Sequence, residues 1–179
     1  MVVERALRPV RGGGGSFAVG EAATQVATSP IVAVDDKSKR LIELLQVDGR
    51  SSYARLAKEV GLSEAAVRQR VQRLIDQGVM QIVAVTDPLT VGFNRQAMIG
   101  IRASGDLRKV AEDIASLREV DYVVVCAGRF DLLAEVVCEG DEQLMNLLND
   151  NIRKINGVTT IETFVYLRLE KQTYAWGAR

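Results

Sequence analysis

Histidine is absent from this sequence of 179 residues, and cysteine occurs only twice. The missing histidine removes the commonest general base and the commonest metal ligand, so an enzyme would have to rely on carboxylate or lysine chemistry. Neither the spacing nor the context of Cys126 and Cys138 is typical of a metal site or a redox pair. We therefore expect a protein that is not an enzyme and that uses no metal and no cofactor.

Long apolar runs are also missing. No stretch approaches the roughly eighteen residues of a membrane span, and the N-terminus lacks the apolar segment of a secretory signal. A cytoplasmic protein with reduced thiols is expected. The net charge is zero, but residues 35–85 carry 9 Lys and Arg against 7 Asp and Glu, whereas residues 86–179 carry 11 against 14. The first stretch is therefore the better candidate for contact with an acidic partner.

Two short amphipathic patterns lie between residues 52 and 78, joined at Gly61-Leu62-Ser63. Their apolar residues recur with helical spacing, which predicts two helices with one apolar face each. The two sets are Tyr53, Leu56, Ala57 and Val60, then Val67, Val71, Leu74 and Ile75. Ser63 stands where an N-cap is wanted, and Gly78 stands where a left-handed C-terminal residue is wanted. The pair is typical of a helix-turn-helix unit, whose second helix enters the DNA major groove.

The outer face of the second helix carries side chains suited to phosphates and base edges. At about 100° per residue, small residues, glutamines and arginines point away from the apolar stripe or lie on its shoulders. The predicted DNA-binding residues are Ser63, Ala65, Ala66, Gln69, Arg70, Gln72, Arg73 and Arg68. Alanine can contact thymine methyls and Gln or Arg can reach base edges, whereas Arg68 better suits a phosphate or the surface. The alternative is a solvated amphipathic helix, as most charged helix faces are.

We divide the chain into an extension, a DNA-binding domain with an exit strand, a hinge and a second domain, at residues 1–34, 35–85, 86–94 and 95–179. The extension is expected to be flexible, because Arg11–Ser16 reads RGGGGS and few large apolar residues follow. Three alternatives are open for the extension: it contacts DNA phosphates, it becomes ordered in an oligomer, or it has no role. Asp35 or Asp36 can cap a first helix, and the apolar, β-branched Val79–Val85 predicts the exit strand.

The second domain alternates between strand and helix patterns. Strands are predicted at Gln96–Arg102, Tyr122–Cys126, Leu132–Cys138 and Ile161–Leu169, with helices around Leu107–Ile114 and Leu144–Ile155. This β-α-β-β-α-β order is the ferredoxin-like arrangement of an α+β protein. Helices cover only one face of such a sheet, so homodimerisation through the open face is predicted. Cys126 and Cys138 would lie about 20 Å apart, both in the core and without a disulfide.

Motifs along the chain resemble the Lrp/AsnC, or feast/famine, family of transcription regulators. The matching stretches are Asp48-Gly49-Arg50, Leu56–Val79, Asp87-Pro88 with Gly92, Gly128–Leu133 and Asn156-Gly157-Val158. Their order and spacing, over roughly residues 34–173, make the resemblance specific. It implies a three-helix DNA-binding domain, a C-terminal domain that responds to an amino acid, dimers that pair sheet to sheet, and assembly of these dimers into octamers that wrap DNA.

The resemblance also places an effector, usually an amino acid, between dimers near a turn that matches Gly128 and Asp131. The implied effector-binding residues are Gly128, Arg129, Phe130, Asp131, Thr159, Thr160 and Thr163. A glycine-rich turn offers N–H groups to a carboxylate, and Asp131 can accept an ammonium group. The alternative is an ordinary hairpin turn whose aspartate caps backbone groups. Cys126-Ala127 and Arg129 depart from the family pattern, and Arg129 suits either an acidic ligand or a neighbouring subunit.

The leading hypothesis is a sequence-specific, DNA-binding transcriptional regulator whose DNA binding or assembly responds to an amino acid or a related metabolite. We expect it to be cytoplasmic and nucleoid-associated, with double-stranded DNA, the effector and further copies of itself as partners, and no membrane. The alternative is an architectural protein that compacts DNA with weak sequence preference. An enzyme built on the second domain is a third hypothesis, disfavoured by the missing histidine.

Overall fold

The computed structural model describes residues 33–179, so the predicted extension over residues 1–34 lies almost wholly outside the described part. The first elements are the helices α1 (Asp36–Val47), α2 (Tyr53–Val60) and α3 (Glu64–Asp76). Each begins at a side-chain cap, where Asp35, Ser52 or Ser63 accepts a hydrogen bond from a backbone N–H group of the first turn. The predicted caps at Asp35 and Ser63 are thereby confirmed.

The three helices enclose a small core of their own. Leu41 of α1, Leu56 of α2 and Val67 of α3 are almost completely buried in it. The turn between α2 and α3 depends on Gly61, whose φ of 62° lies in the left-handed region that glycine adopts without strain. Gly78, with a φ of 67°, ends α3 in the same way. Both predicted helices of the helix-turn-helix are confirmed.

The predicted exit strand over Val79–Val85 is wrong within the described chain. A strand needs a ladder of backbone hydrogen bonds, and residues 80–87 pair with no described strand. Their apolar, β-branched composition alone produced the prediction, and Val83 and Val85 are instead exposed. Part of the predicted hinge forms a short 3-10 helix, Pro88–Val91.

The second domain has the predicted β-α-β-β-α-β order. Its elements are β1 (Arg95–Ala103), α4 (Leu107–Ala115), β2 (Val120–Val125), β3 (Leu132–Cys138), α5 (Asp141–Asn146) and β4 (Val158–Val165). The strands form one antiparallel sheet in the order β2-β3-β1-β4. After α5 the chain continues as a π-helical turn over Leu147–Asn151 and a 3-10 turn over Ile152–Lys154. The predicted fold class, an α+β protein with a helix-turn-helix domain and a ferredoxin-like domain, is confirmed.

The last strand is shorter than its alternating pattern predicts. Pairing with β1 ends where Val165 lies opposite Ala97, and the backbone N–H of Tyr166 makes a final hydrogen bond of 2.9 Å to the carbonyl of Gln96. In the same register Leu167 would lie opposite Arg95, the first residue of β1, but the pairing ends before it. Leu167 is therefore 97% exposed.

The sheet has two different faces. Side chains at alternate positions, such as Ile99 on β1 and Ala134 on β3, are completely buried against the helices. The opposite face carries Leu133 and the exposed rings of Tyr122 and Phe164. No described helix packs on this second surface, which we call the open face. Apolar side chains therefore occupy part of the surface through which dimerisation is predicted.

Both cysteines are free thiols, as predicted. Cys138 is fully buried on the helix-covered face, where burial raises the pKa of its thiol. Cys126 is only partly buried, so its predicted place in the core is wrong. Its position follows from the end of β2 at Val125, after which Cys126 belongs to the turn and its Sγ lies 3.2 Å from the carbonyl oxygen of Phe130. Among residues 33–179, no helix combines the length and apolar character needed to cross a membrane.

Candidate DNA-binding surface and effector turn

The outward surface of α3 has the composition predicted for a groove-facing helix. Ala65, Gln69 and Arg73 are exposed, and Ala66 is half-buried beside them. Within the described residues, the side chains of Gln69 and Arg73 take part in no hydrogen bond or salt bridge. Their donors and acceptors therefore remain available to an incoming partner. Ser63 uses its hydroxyl as the cap of α3, accepting from the N–H of Ala66 at 3.2 Å.

Arg70 has an intramolecular role that the sequence pattern did not indicate. Its guanidinium donates to the carboxylate of Asp35 at 2.5 Å and to the hydroxyl of Ser38 at 3.1 Å. The other carboxylate oxygen of Asp35 caps α1 through the N–H of Ser38 at 2.8 Å. One aspartate therefore starts α1 and holds α3 against it. The hydrogen bond from Arg70 and those from Ser38 lower the pKa of Asp35 from 3.8 to about 2.

We expect Arg70→Ala to raise the pKa of Asp35 part of the way back towards its ordinary 3.8, because the hydrogen bonds from Ser38 remain. The folded-state pKa lies below the unfolded value, so the ionised carboxylate stabilises the domain above about pH 4, and this contribution is lost as the pH falls through about 2. The stability difference between wild type and Arg70→Ala should shrink over that interval. NMR titration of Asp35 and acid unfolding measure both quantities; an unchanged Asp35 pKa would disprove the assignment.

Two other polar residues of α3 also have partners in the chain. The guanidinium carbon of Arg68 lies 4.8 Å from the ring centroid of Tyr53, a cation–π contact on the shoulder away from Gln69. The amide of Gln72 donates to Asp76 at 2.8 Å, one helical turn further on. Both side chains are exposed and can exchange these weak contacts for phosphates. The DNA-binding role of the eight predicted residues stays a prediction, with Gln69 and Arg73 the least engaged.

Asp131 is held in the sheet by three hydrogen bonds. Its carboxylate accepts from the N–H of Ala103 at 2.9 Å, its own N–H donates to the carbonyl of Ile101 at 2.9 Å, and its carbonyl accepts from Cys126 at 3.0 Å. The carboxylate thus satisfies a backbone group at the irregularity where the pairing of β1 with β4 shifts register, between Arg102 and Ala103. Asp131 therefore caps a backbone group, as the alternative interpretation of the turn predicted. Its other carboxylate oxygen has no partner among the described residues.

Phe130 and Arg129, which precede Asp131, pack the turn against the open face. The ring of Phe130 lies so close to Gly100 that a Cβ there would approach a ring carbon to 2.6 Å, so β1 needs a glycine at this position. Phe130 also meets the edge of Phe164, with ring centroids 6.1 Å apart. Arg129 reaches Glu162 on β4 at 2.9 Å. The charge of Arg129 is therefore already paired within the chain.

The three predicted threonines do not share one surface. Thr163 lies opposite Ile99, on the helix-covered side, whereas Thr160 lies opposite Arg102 on the other. The hydroxyl of Thr159 donates to the carbonyl of Arg102 at 2.9 Å. Glu162 and Phe164, which were not predicted, join the turn instead. Only the register between β1 and β4 could have identified them, and an alternating pattern does not give register.

A polar group interrupts the open face. Glu135 of β3 accepts a hydrogen bond of 2.9 Å from the amide of Gln96 on β1. Burial and a hydrogen bond to the same carboxylate raise the pKa of Tyr166 to about 12. This group provides hydrogen-bonding partners within a mainly apolar surface.

Comparison with known families assigns both domains. Residues 34–75 match the AsnC-type helix-turn-helix domain, and residues 93–179 match the C-terminal dimeric alpha+beta barrel domain of AsnC-type regulators. The fold and these matches define a transcriptional regulator with a DNA-binding helix-turn-helix. An HTH-type transcriptional regulator of Pyrococcus abyssi is 33% identical over 153 residues, which cover 84% of this chain and 97% of the relative. The chain belongs to the Lrp/AsnC family.

Solved structures agree on the fold. E. coli AsnC superposes with a TM-score of 0.69 at 24% identity, over 79% of this chain and 97% of that one. A Neisseria meningitidis transcriptional regulator solved as a complex with L-Met gives a TM-score of 0.70 at 23% identity, over 80% and 96%. Both likenesses extend through the helix-turn-helix and the sheet domain, so the two-domain organisation is shared.

Proposed function

We propose that the protein is a sequence-specific regulator that reads DNA with α3 and whose DNA binding or assembly responds to an amino acid. The observation that carries the first part is the exposed pair Gln69 and Arg73, both without a described intramolecular partner. Gln and Arg are the side chains that make bidentate contacts with adenine and guanine, respectively. Ala65 beside them allows the helix to approach the groove closely.

Two copies of the reading helix are required for useful affinity. A DNA-binding domain with 9 basic and 7 acidic side chains releases few counterions when it binds alone. Pairing through the open face would hold two such domains together, so that the second half-site is bound at a high effective concentration. Further assembly to an octamer would extend this arrangement along the DNA.

The ratio of specific to non-specific affinity tests this function against DNA compaction. Fragments selected by the protein from random DNA should bind at least about 10³-fold more tightly than scrambled fragments at the same salt concentration. A ratio near one would support the compacting alternative, in which backbone contacts dominate. Comparing salt concentrations alone would not separate the two, because both modes release counterions.

The effector part of the proposal is supported by chemistry at the turn. An amino acid presents a carboxylate and an ammonium group, and the turn offers the oppositely charged Arg129 and Glu162 together with the second oxygen of Asp131. The related regulator complexed with L-Met supplies an amino acid to test first. Because the turn carries one positive and two negative side chains, a zwitterion, which brings an ammonium group, suits it better than an acidic ligand.

Calorimetry with each of the twenty amino acids on wild type and Asp131→Ala tests the site. We expect at least one amino acid to bind the wild type and to lose about tenfold or more in affinity with the variant, since one charge-assisted contact and the anchoring of the turn are both removed. Asp150→Ala, an exposed aspartate elsewhere in the domain, is the matched control. Equal binding by wild type and Asp131→Ala would place the effector elsewhere.

A further inference from the structure

The chain after β4 returns to the DNA-binding domain. Residues 166–179, which we call the C-terminal strap, leave the sheet at Tyr166. The strap reaches Gln46 near the end of α1, where the N–H of Gly177 donates to the side-chain oxygen of Gln46 at 3.0 Å. The side-chain nitrogen of Gln46 lies 3.5 Å from the carbonyl oxygen of Gly177. One glutamine amide therefore matches both backbone groups of a single residue, as a neighbouring strand would.

A second connection meets the same end of α1. Ile82, in the linker after α3, lies 3.5 Å from the position that a Cβ on Gly49 would occupy. The linker and the strap, which both join the sheet domain to the DNA-binding domain, thus converge on the last turn of α1 and the turn that follows. Their convergence makes this end of α1 the point where the two domains are coupled.

The contact at Gln46 is built to be reversible. Gly177 has a φ of 81°, a conformation that glycine adopts without strain and other residues disfavour. The strap buries little apolar surface, because Trp176 is 75% exposed and its ring lies beside the exposed ring of Tyr174, with centroids 6.3 Å apart. Docking thus depends on hydrogen bonds, each of which shifts an equilibrium by about 2- to 10-fold.

The same helix supports the reading helix. At its beginning, Asp35 holds Arg70 of α3, and in its middle Leu41 is buried among the residues of α2 and α3. A restraint on the last turn of α1 therefore limits the orientation of the whole three-helix domain. Residues that α3 presents to DNA move with it as one body.

We propose that Gln46 is a docking residue for the C-terminal strap, and that the docked strap pre-orients the DNA-binding domain relative to the sheet. The effect of this pre-orientation on DNA affinity rests on the proposed function, because it arises when two DNA-binding domains bind one DNA molecule. A domain held in position loses less freedom on binding, so docking tightens the complex. Gln46 acts here through α1 as a positioning residue and contacts no base.

Trp176 reports on docking in the full chain, since it is the single tryptophan of the sequence. Gln46→Ala should lower its fluorescence anisotropy, because the neighbouring Gly177 is released and the strap then moves more freely. Gln81→Ala, an exposed glutamine of the linker, is the matched control and should behave like wild type. Identical anisotropy of Trp176 in wild type and Gln46→Ala would overturn the docking.

DNA binding tests the second half of the inference. On fragments selected by the wild type, we expect Gln46→Ala and a chain ending at Thr173 to bind about 2- to 10-fold more weakly, and Gln81→Ala to bind unchanged. If Gln46→Ala lowered the anisotropy of Trp176 but left the DNA affinity unchanged, the proposed coupling would be overturned. If the wild type showed no sequence preference at all, the proposed function would fail, while the fluorescence experiment would still test docking.

Discussion

Arg73→Ala and Gln69→Ala should each weaken binding to a selected DNA fragment strongly. A good bidentate contact with a base contributes about 1–3 kcal/mol of discrimination. In a symmetric dimer each substitution occurs in both half-sites, so the expected loss is about 2–6 kcal/mol if the two half-sites are independent. Both side chains are exposed on α3 and have no described partner, so their removal should leave the fold intact.

Gln69→Ala and Arg73→Ala should affect DNA binding in different ways. Gln69→Ala should relax base preference at one position of each half-site, while Arg73→Ala should also reduce the salt dependence if it contacts a phosphate. Glu142→Ala, at an exposed position on α5, serves as the control. Equilibrium binding at fixed salt, with sequencing of the bound fragments, measures both effects. If all three variants bound like wild type, α3 would not be the reading helix.

Leu133→Asp should separate the protein into monomers. Leu133 lies on the open face at the centre of the sheet, opposite Gly100 on β1 and Val124 on β2. A carboxylate at this position would be buried without a partner in any dimer formed through the face, which costs several kcal/mol or more. Loss of the second half-site should then lower DNA affinity by about 10²- to 10⁴-fold.

Val47→Asp is the matched control for this experiment. It makes the same chemical change at an apolar position that is 81% exposed on α1, away from the sheet. Light scattering should give a multimeric mass for wild type and for Val47→Asp, and a monomeric mass for Leu133→Asp, whose circular dichroism spectrum should stay that of the folded chain. A multimeric Leu133→Asp would show that the open face is not the dimer surface.

Local pattern was sufficient for the elements whose periodicity and caps agree. The apolar spacing along α2 and α3, the cap at Ser63 and the glycine at position 78 act over a few residues, so their consequences can be worked out in order along the chain. The strand predictions were less reliable at their ends. Val79–Val85 had the composition of a strand but no described partner, and the pairing of β4 with β1 ended at Val165 although the alternating pattern continues to Leu169.

Among the predicted functional residues, some features follow from the local pattern and others depend on contacts between distant segments. The exposure of Gln69 and Arg73 follows from helical angle, whereas the pairing of Arg70 with Asp35 joins side chains 35 positions apart in the sequence. The turn at Asp131 was recognisable as a motif. Its contacts with Ala103 and the reach of Arg129 to Glu162 were not, because both depend on how separate strands come together.

The sequence by itself determined the family, the two-domain order, the helices of the helix-turn-helix and the sites of their caps, because these are set by neighbouring residues and by motif spacing. The tertiary structure decided strand register, the partners of each charged side chain and the return of the C-terminal strap to Gln46. Such pairings arise only when distant segments pack, and a change of one position in register moves a strand's side chains to the opposite face. The sequence encodes these contacts, but they can be identified only in the folded chain.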